Sequence, residues 1–183
     1  MLEMIKISPW VFEFVSPELK NDRDVVMTAV KRLGSVFKYA GEELKKDREI
    51  VLEAVKNDCW ALEYASDELK KDREIVLEAV KNDGRALYYA SDELKKDKEL
   101  VLEVINIDIK AFQVLEYCNK EFQKDPEIIE TVINKFSEYE CSKDYDLEEL
   151  KKYPDELKNI INSKNFDIET LITEKENYNN LFF

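Results

Sequence analysis

The sequence predicts an all-α protein, a solenoid of helix-turn-helix repeats of 25 residues with a helical C-terminal cap. The segment DREIVLEAVKNDCWALEYASDELKK at residues 47–71 recurs at residues 72–96 as DREIVLEAVKNDGRALYYASDELKK. Looser copies begin at Asp22 and Asp97, so the leading aspartates are 25 residues apart. A fixed period of this length is typical of stacked repeats. The chain of 183 residues contains only 3 Gly and 4 Pro, which leaves few turns for a β-rich fold.

The first element of each repeat is expected to be a helix capped by the leading aspartate. Asp47 suits an N-cap position, because its carboxylate can accept hydrogen bonds from the unpaired amides of the first turn. A helix over residues 48–56 should follow. Most of its side chains are apolar and leave only a narrow polar stripe, which suits a helix that lies between neighbours. We therefore expect Leu52 and its counterparts Leu77 and Leu102 to be buried in equivalent environments.

The second element is expected to be a helix over residues 59–65, followed by a one-turn connector that Ser66 opens. Pro9 and Pro17 come directly after the equivalent cap positions of the first copy, where a missing N–H costs nothing. Repeats this short cannot bury both helical faces alone. Stacking of repeat on repeat must therefore supply the core.

The chain is divided by this pattern into three parts of one continuous domain. Residues 1–21 are interpreted as a truncated N-terminal unit, residues 22–125 as the tandem repeats and residues 126–183 as C-terminal capping helices. Asp125 and Pro126 predict the start of the first capping helix, which should run to about residue 139. Residues 101–183 carry 10 basic and 19 acidic side chains, so an acidic docking module is an alternative to a cap.

The repeat, read from Asp72 to Lys96, resembles the tandem repeat of the domain-of-unknown-function 4116 family. The resemblance covers roughly residues 5–125. The chain departs from the family pattern at Cys59, where glycine is usual, and after Asn106. Because the family is defined by its repeat, the resemblance implies a repeat architecture and carries no catalytic or binding residue over to this chain.

Charge and composition exclude several classes of partner. The formal net charge is −13, so neither nucleic acid nor an anionic membrane is an expected partner. No run approaches the roughly 18 consecutive apolar residues of a membrane span, and the first ten residues lack a signal-peptide core. Cys59, Cys118 and Cys141 share no metal-ligand spacing and are expected to be free thiols. A cytoplasmic protein is the resulting expectation.

Catalytic and metal-binding chemistry has little support in the sequence. The chain contains no histidine, which removes the commonest general base and zinc ligand. The acidic residues recur as helix caps, so their structural role already explains them. The run Asp144, Asp146 and Glu148 is like the start of a calcium loop but lacks its glycine and its closing glutamate. We therefore predict no enzyme, no cofactor and no metal.

A candidate binding surface comes from comparing the repeats with one another. Two positions of the second helix vary freely, and the second comes three residues after the first, so they share a face. We call this surface the variable strip. Its first position holds Trp10, Ser35, Trp60, Arg85 and Lys110, and its second holds Glu13, Lys38, Glu63, Tyr88 and Gln113.

The strip has two interpretations. It can be merely exposed and unconstrained, with the tryptophans partly covered by the next unit. It can also bind a protein, since Trp, Tyr and Arg are the residue types enriched at interface hot spots. The candidate protein-binding residues are Trp10, Trp60, Arg85, Tyr88 and Lys110.

The function favoured by the sequence is that of a non-catalytic protein–protein interaction module or scaffold, acting as a monomer on a protein partner. The alternative is an acidic inhibitor or immunity-type protein whose C-terminal face occludes a basic partner protein. A carboxylate-based enzyme is a more distant third class.

Overall fold

The computed structural model describes residues 2–107 and 111–140, and every regular element within these ranges is a helix. The chain begins with α1 (Leu2–Ile7). The four long helices that open the repeats are α3 (Arg23–Arg32), α4 (Arg48–Asn57), α5 (Arg73–Asn82) and α7 (Lys98–Ile107). The predicted helix over residues 48–56 is confirmed to within one residue. The all-α fold class and its tandem repeats are confirmed with it.

The leading aspartates cap these helices as predicted. The Asp47 carboxylate accepts from the backbone N–H groups of Glu49 and Ile50, at 3.0 and 3.2 Å. Asp22 and Asp72 cap α3 and α5 in the same way. Each such cap contributes about 1 kcal/mol.

The second element of each repeat lies where the sequence predicts, but it is a 3₁₀ helix of six residues. These segments are Pro9–Phe14, Gly34–Tyr39, Cys59–Tyr64 and Gly84–Tyr89. Six residues make a long 3₁₀ run, since runs of more than three or four residues are uncommon. In the copy that begins at Asp97, the corresponding segment is α-helical, α8 (Ala111–Tyr117).

The connectors are single turns, either α-helical or 3₁₀. They are α2 (Pro17–Lys20), Leu44–Lys46, Leu69–Lys71 and α6 (Asp92–Lys95). Pro9 and Pro17 occupy the first turns of their segments, as predicted.

Contacts divide the chain into two compact units, residues 1–119 and residues 120–183. Within the first unit each long helix packs against the next one, in the order α1, α3, α4, α5 and α7. The 3₁₀ segments follow the same order and also contact their successors. Successive repeats of this unit therefore stack on one another. The solenoid arrangement of the stacked repeats stays a prediction.

The described part of the second unit consists of the 3₁₀ helix Lys120–Lys124 and α9 (Pro126–Glu140), which contact each other. The Asp125 carboxylate caps α9 by accepting from the N–H group of Glu127 at 3.0 Å. The predicted start at Pro126 is confirmed. The further capping helices expected after residue 140 lie outside the described residues.

The core positions differ in one respect from the expectation. Leu52, Leu77 and Leu102 are equivalent to one another but only half-buried, so the prediction that they are buried was wrong. The fully buried side chains of α4 are Ile50, Val51, Ala54 and Val55. These four lie on one face, and Leu52 falls at its edge, because a helix turns by about 100° per residue.

Backbone hydrogen bonds join neighbouring connectors. The N–H groups of Gly41, Ser66 and Ser91 donate to the carbonyl oxygens of Lys20, Lys45 and Lys70, at 2.8, 3.0 and 3.0 Å. Each bond spans the boundary between one repeat and the next. The connectors are therefore held in register by the main chain itself.

Arginines at the start of the long helices join the same repeats through side chains. Arg48 donates through Nε to the Asp72 carboxylate at 2.7 Å and through a terminal nitrogen to Glu74. Arg23 does the same with Asp47 and Glu49. Partial burial raises the pKa of Asp72, but hydrogen bonds from Arg48 and the backbone outweigh it, so the pKa is lowered. Because the arginines are exposed, each pair contributes little to stability.

A glycine allows two of the repeats to approach closely. Gly34 is buried, and a Cβ added there would lie 2.5 Å from the Ala54 carbonyl oxygen and 2.7 Å from the Asp58 amide nitrogen. These are backbone atoms, so they cannot rotate away. We expect Gly34→Ser to lower the free energy of unfolding by about 1–3 kcal/mol, measured by urea denaturation.

The matched control is Gly41→Ser. The three atoms nearest to a Cβ at Gly41 all belong to the side chain of Asn21, which can turn away. Serine already occupies the equivalent positions 16, 66 and 91. This variant should be nearly neutral. If both variants lost the same free energy of unfolding, a close backbone approach at Gly34 would be contradicted. The site would then accept a side chain, as the equivalent position of the next repeat does with Cys59.

Candidate functional site

The described part of the variable strip lies on the short 3₁₀ segments and, at Gln113, on α8. It is exposed at its aromatic members. Trp10, Trp60 and Tyr88 are 57%, 39% and 58% exposed, and Arg85 is exposed beside them. Lys110, the fifth candidate residue, lies outside the described residues. Large aromatic side chains therefore face solvent at three of the candidate positions.

Trp60 and Arg85 are neighbours across two repeats, as their 25-residue separation predicts. The Arg85 guanidinium carbon lies 5.3 Å from the centroid of the Trp60 ring, within range of a cation–π interaction. Asp83 orients the guanidinium by accepting from Nε at 3.0 Å and from a terminal nitrogen at 2.6 Å. The hydrogen bond to Asp83 raises the pKa of Arg85. The cation is thus fixed beside the indole ring.

Edge-to-face contacts extend this pair into an aromatic cluster, which we define as Trp60, Tyr88, Tyr89 and Tyr117. Tyr89 lies 6.0 Å from Trp60 and 5.1 Å from Tyr88, between ring centroids. Tyr88 lies 5.8 Å from Tyr117. Such pairs contribute about 0.5–1.5 kcal/mol beyond the area they bury. The rings of the cluster are therefore held in place before any partner arrives.

Sequence reasoning missed two members of the aromatic cluster. Tyr89 lies at a recurrent position, with Tyr39 and Tyr64, and recurrence favoured a packing role. Tyr89 is half-buried and contacts Trp60 and Tyr88 of the strip, so it has a packing role and also belongs to the candidate site. Tyr117 belongs to the copy that gains residues, where the 25-residue register no longer identifies its neighbours.

Trp10 is not joined to the aromatic cluster. Within the described residues no ring contact involves it. Between Trp10 and Trp60 the strip carries Ser35 and Lys38, and the Lys38 ammonium lies 4.8 Å from the Tyr39 ring centroid. The strip therefore carries aromatic side chains at Trp10, Trp60 and Tyr88, and the first of these is separated from the other two by a polar stretch.

A cavity of about 620 Å³ adjoins the aromatic cluster. Tyr88 and Tyr89 form part of its wall. Connector residues supply the rest: Asp67, Lys70, Lys71, Ala90, Ser91, Asp92, Glu93 and Lys95. We call this cavity the connector cleft.

A known family model matches the repeats. The family model described as "Domain of unknown function (DUF4116)" matches residues 1–45, 26–70, 47–95 and 72–115. The chain belongs to this family. No curated protein and no solved structure matches it. The DUF4116 matches end at residue 115, shortly after the repeat pattern begins to drift at Asn106.

The cysteines near the DUF4116 repeats are structural in character. Cys59 and Cys118 are buried free thiols, and burial raises the pKa of each to about 11. Both stay protonated at neutral pH and are weak nucleophiles. Cys141 lies outside the described residues, as does the acidic run from Asp144.

In residues 2–107 and 111–140, no group of three or more His, Cys, Asp or Glu side chains is arranged to hold a metal ion. None of the described helices has the length and apolar character needed to cross a membrane.

Proposed function

We propose that the chain is a non-catalytic protein-interaction module that binds a protein partner through the variable strip, centred on Trp60, Arg85 and Tyr88. The observation that carries the proposal is the exposed aromatic cluster, with its fixed cation, assembled from consecutive repeats. Trp, Tyr and Arg are enriched among the residues that dominate binding energy.

Preorganisation supports this choice of surface. Edge-to-face contacts hold Trp60 and Tyr88 against Tyr89, and Asp83 holds Arg85. Binding then loses less side-chain entropy than it would with free side chains, for which ordering costs about 0.5–1.5 kcal/mol each. Burial raises the pKa of Tyr89, so its phenol stays protonated and is a weak base at neutral pH.

The proposal takes the module to be a cytoplasmic monomer. Buried free thiols suit a reducing compartment. The net charge of −13 supports a protein partner over nucleic acid or an anionic membrane. No cofactor is part of the proposal.

A second candidate is an acidic inhibitor that occludes a basic partner protein. The observation that favours it is the excess of 19 acidic over 10 basic side chains in residues 101–183. The two candidates use different surfaces, so the site of partner contact separates them.

Site-specific photo-crosslinking in the source cell tests the proposal. A benzophenone side chain replaces Tyr88 in one variant and Lys56 in another. Lys56 is exposed in the same repeat as Trp60 but outside the strip. We expect a protein crosslinked through position 88 and absent from the position 56 sample.

A third variant carries the benzophenone at Glu130, which is exposed on α9. A partner captured through position 130 and not through position 88 would overturn the strip and favour the inhibitor. A partner captured through position 88 alone would exclude that alternative.

A further inference from the structure

The connector cleft lies beside the strip and spans a repeat boundary. Lys70 belongs to the repeat that begins at Asp47, whereas Lys95 and the two tyrosines belong to the next repeat. The Ser91 N–H group donates to the Lys70 carbonyl oxygen at 3.0 Å and ties the two walls together. The cleft is therefore a fixed feature of the stacked repeats, continuous with Tyr88.

Two lysines of the cleft lack the ion pair that their counterpart makes. In the preceding repeat, Lys45 pairs with Glu42 at 2.7 Å and is only 16% exposed. The residues equivalent to Glu42 are Asp67 and Asp92, which are shorter by one methylene. Among the described residues, neither Lys70 nor Lys95 forms a salt bridge.

The Lys95 ammonium is the more costly of the two to leave unpaired. Burial lowers its pKa, and the nearby charge of Lys70 lowers it further, while Asp92 acts in the opposite direction. The ammonium lies 5.5 Å from the centroid of the Tyr88 ring, which is exposed. A partly buried ammonium gains more from an incoming carboxylate than a solvated one does, because it has already lost water.

The rim limits how much negative charge the cleft can accept. Asp67, Asp92 and Glu93 line it together with three lysines, and Lys71 is paired with Glu93 at 3.5 Å. The cleft therefore has no net formal charge. A single carboxylate adds one negative charge beside Lys70 and Lys95, whereas a run of acidic residues would also meet the carboxylates of the rim.

We propose that the connector cleft receives one acidic side chain from an extended segment of the protein partner, next to an apolar or aromatic residue that packs on Tyr88. The proposal rests on the proposed function and adds the chemistry of the ligand. Lys70 and Lys95 bind the carboxylate, and the aromatic cluster binds its neighbour. Charge-assisted hydrogen bonds of this kind are roughly twice as strong as neutral ones.

A peptide library displayed on phage tests the proposal with a defined probe. Random dodecapeptides are selected on the full chain, and the enriched peptides are synthesised for fluorescence anisotropy. We expect the enriched peptides to share one Asp or Glu within a few residues of an aromatic or aliphatic side chain. Replacing that acid by its amide should weaken binding about tenfold.

Variants of the protein locate the carboxylate. The double variant Lys70→Gln/Lys95→Gln should bind the acid peptide about tenfold more weakly. It should also bind the acid peptide and the amide peptide equally well. Asp92→Glu supplies an internal counter-ion like Glu42 and should also weaken the acid peptide. Lys45→Gln is the matched control, since Lys45 already has its partner, and should leave binding unchanged.

The outcomes separate this inference from the proposed function. Binding that depends on Trp60 and Tyr88 but not on the acid or on Lys70 and Lys95 would overturn the cleft and leave the strip intact. Peptides that bind independently of all four residues would overturn both. A library with no enriched peptide would also count against both, because it offers extended segments with every combination of side chains proposed.

Discussion

Leu87→Ala is expected to lower the free energy of unfolding by about 2–5 kcal/mol, the range for a leucine removed from a fully packed site. Leu87 lies in the 3₁₀ segment Gly84–Tyr89 and has no exposed surface. The segment packs on α5 and on the preceding 3₁₀ segment Cys59–Tyr64. Truncation therefore leaves a cavity at a place where two repeats meet.

The matched control is Leu77→Ala, which removes the same atoms from the half-buried position on α5. Part of that side chain is already in water, so the loss should be clearly smaller. Urea denaturation followed by circular dichroism measures the free energy of unfolding of both variants. The slope of that free energy against urea concentration, the m-value, should be similar in the two. Equal losses would mean that the 3₁₀ segments contribute no more to the core than the edge of a long helix does.

Sequence reasoning succeeded for the positions of the long helices and failed for the burial of one of their leucines. The repeat placed the long helices to within a residue, because Asp47 and Asp72 fix their starts by a local hydrogen bond that depends on the sequence alone. It failed for the depth of Leu77. A helix with few polar side chains has no single apolar face in its sequence, so the neighbouring repeats decide which side chains are covered.

The 3₁₀ form of the second element was also beyond the sequence. Cys59–Tyr64 has the caps and the apolar spacing of a short α-helix, and six residues give too few of either to distinguish the two forms. The segment contacts both α4 and α5, and these contacts are not visible in its six residues. The 25-residue spacing of these segments was enough to predict that Trp60 and Arg85 are neighbours, whichever helical form the segments take.

The candidate site was predicted in part. Variation among the repeats singled out Trp60, Arg85 and Tyr88, because the residue types at those positions change from copy to copy. It could not identify Tyr89, which packs and lines the site at once. The proposal for the connector cleft depends on the replacement of Glu42 by the shorter Asp92 in a later repeat. The sequence does not show that Lys45 pairs with Glu42, so it could not show that the equivalent Lys95 lacks this pair.

The double variant Trp60→Ala/Tyr88→Ala is expected to weaken partner binding by about 2 kcal/mol or more, which is roughly thirtyfold. Truncation removes the exposed faces of both rings and leaves Arg85 without the indole ring beside it. The partner is the protein crosslinked through position 88, and isothermal titration calorimetry measures its affinity. Stability should fall only modestly, because both rings are partly in water and lose mainly their edge contacts with Tyr89.

Trp10→Ala is the comparison that limits the binding surface. Trp10 is as exposed as Tyr88 and occupies the same strip position as Trp60, but it makes no ring contact with the aromatic cluster. If preorganisation by that cluster makes the hot spot, Trp10→Ala should leave the affinity unchanged. A comparable loss would extend the binding surface along the strip to the first copy. Unchanged affinity in the Trp60 and Tyr88 double variant would contradict the strip altogether, because the proposal assigns most of the binding energy to these two exposed rings.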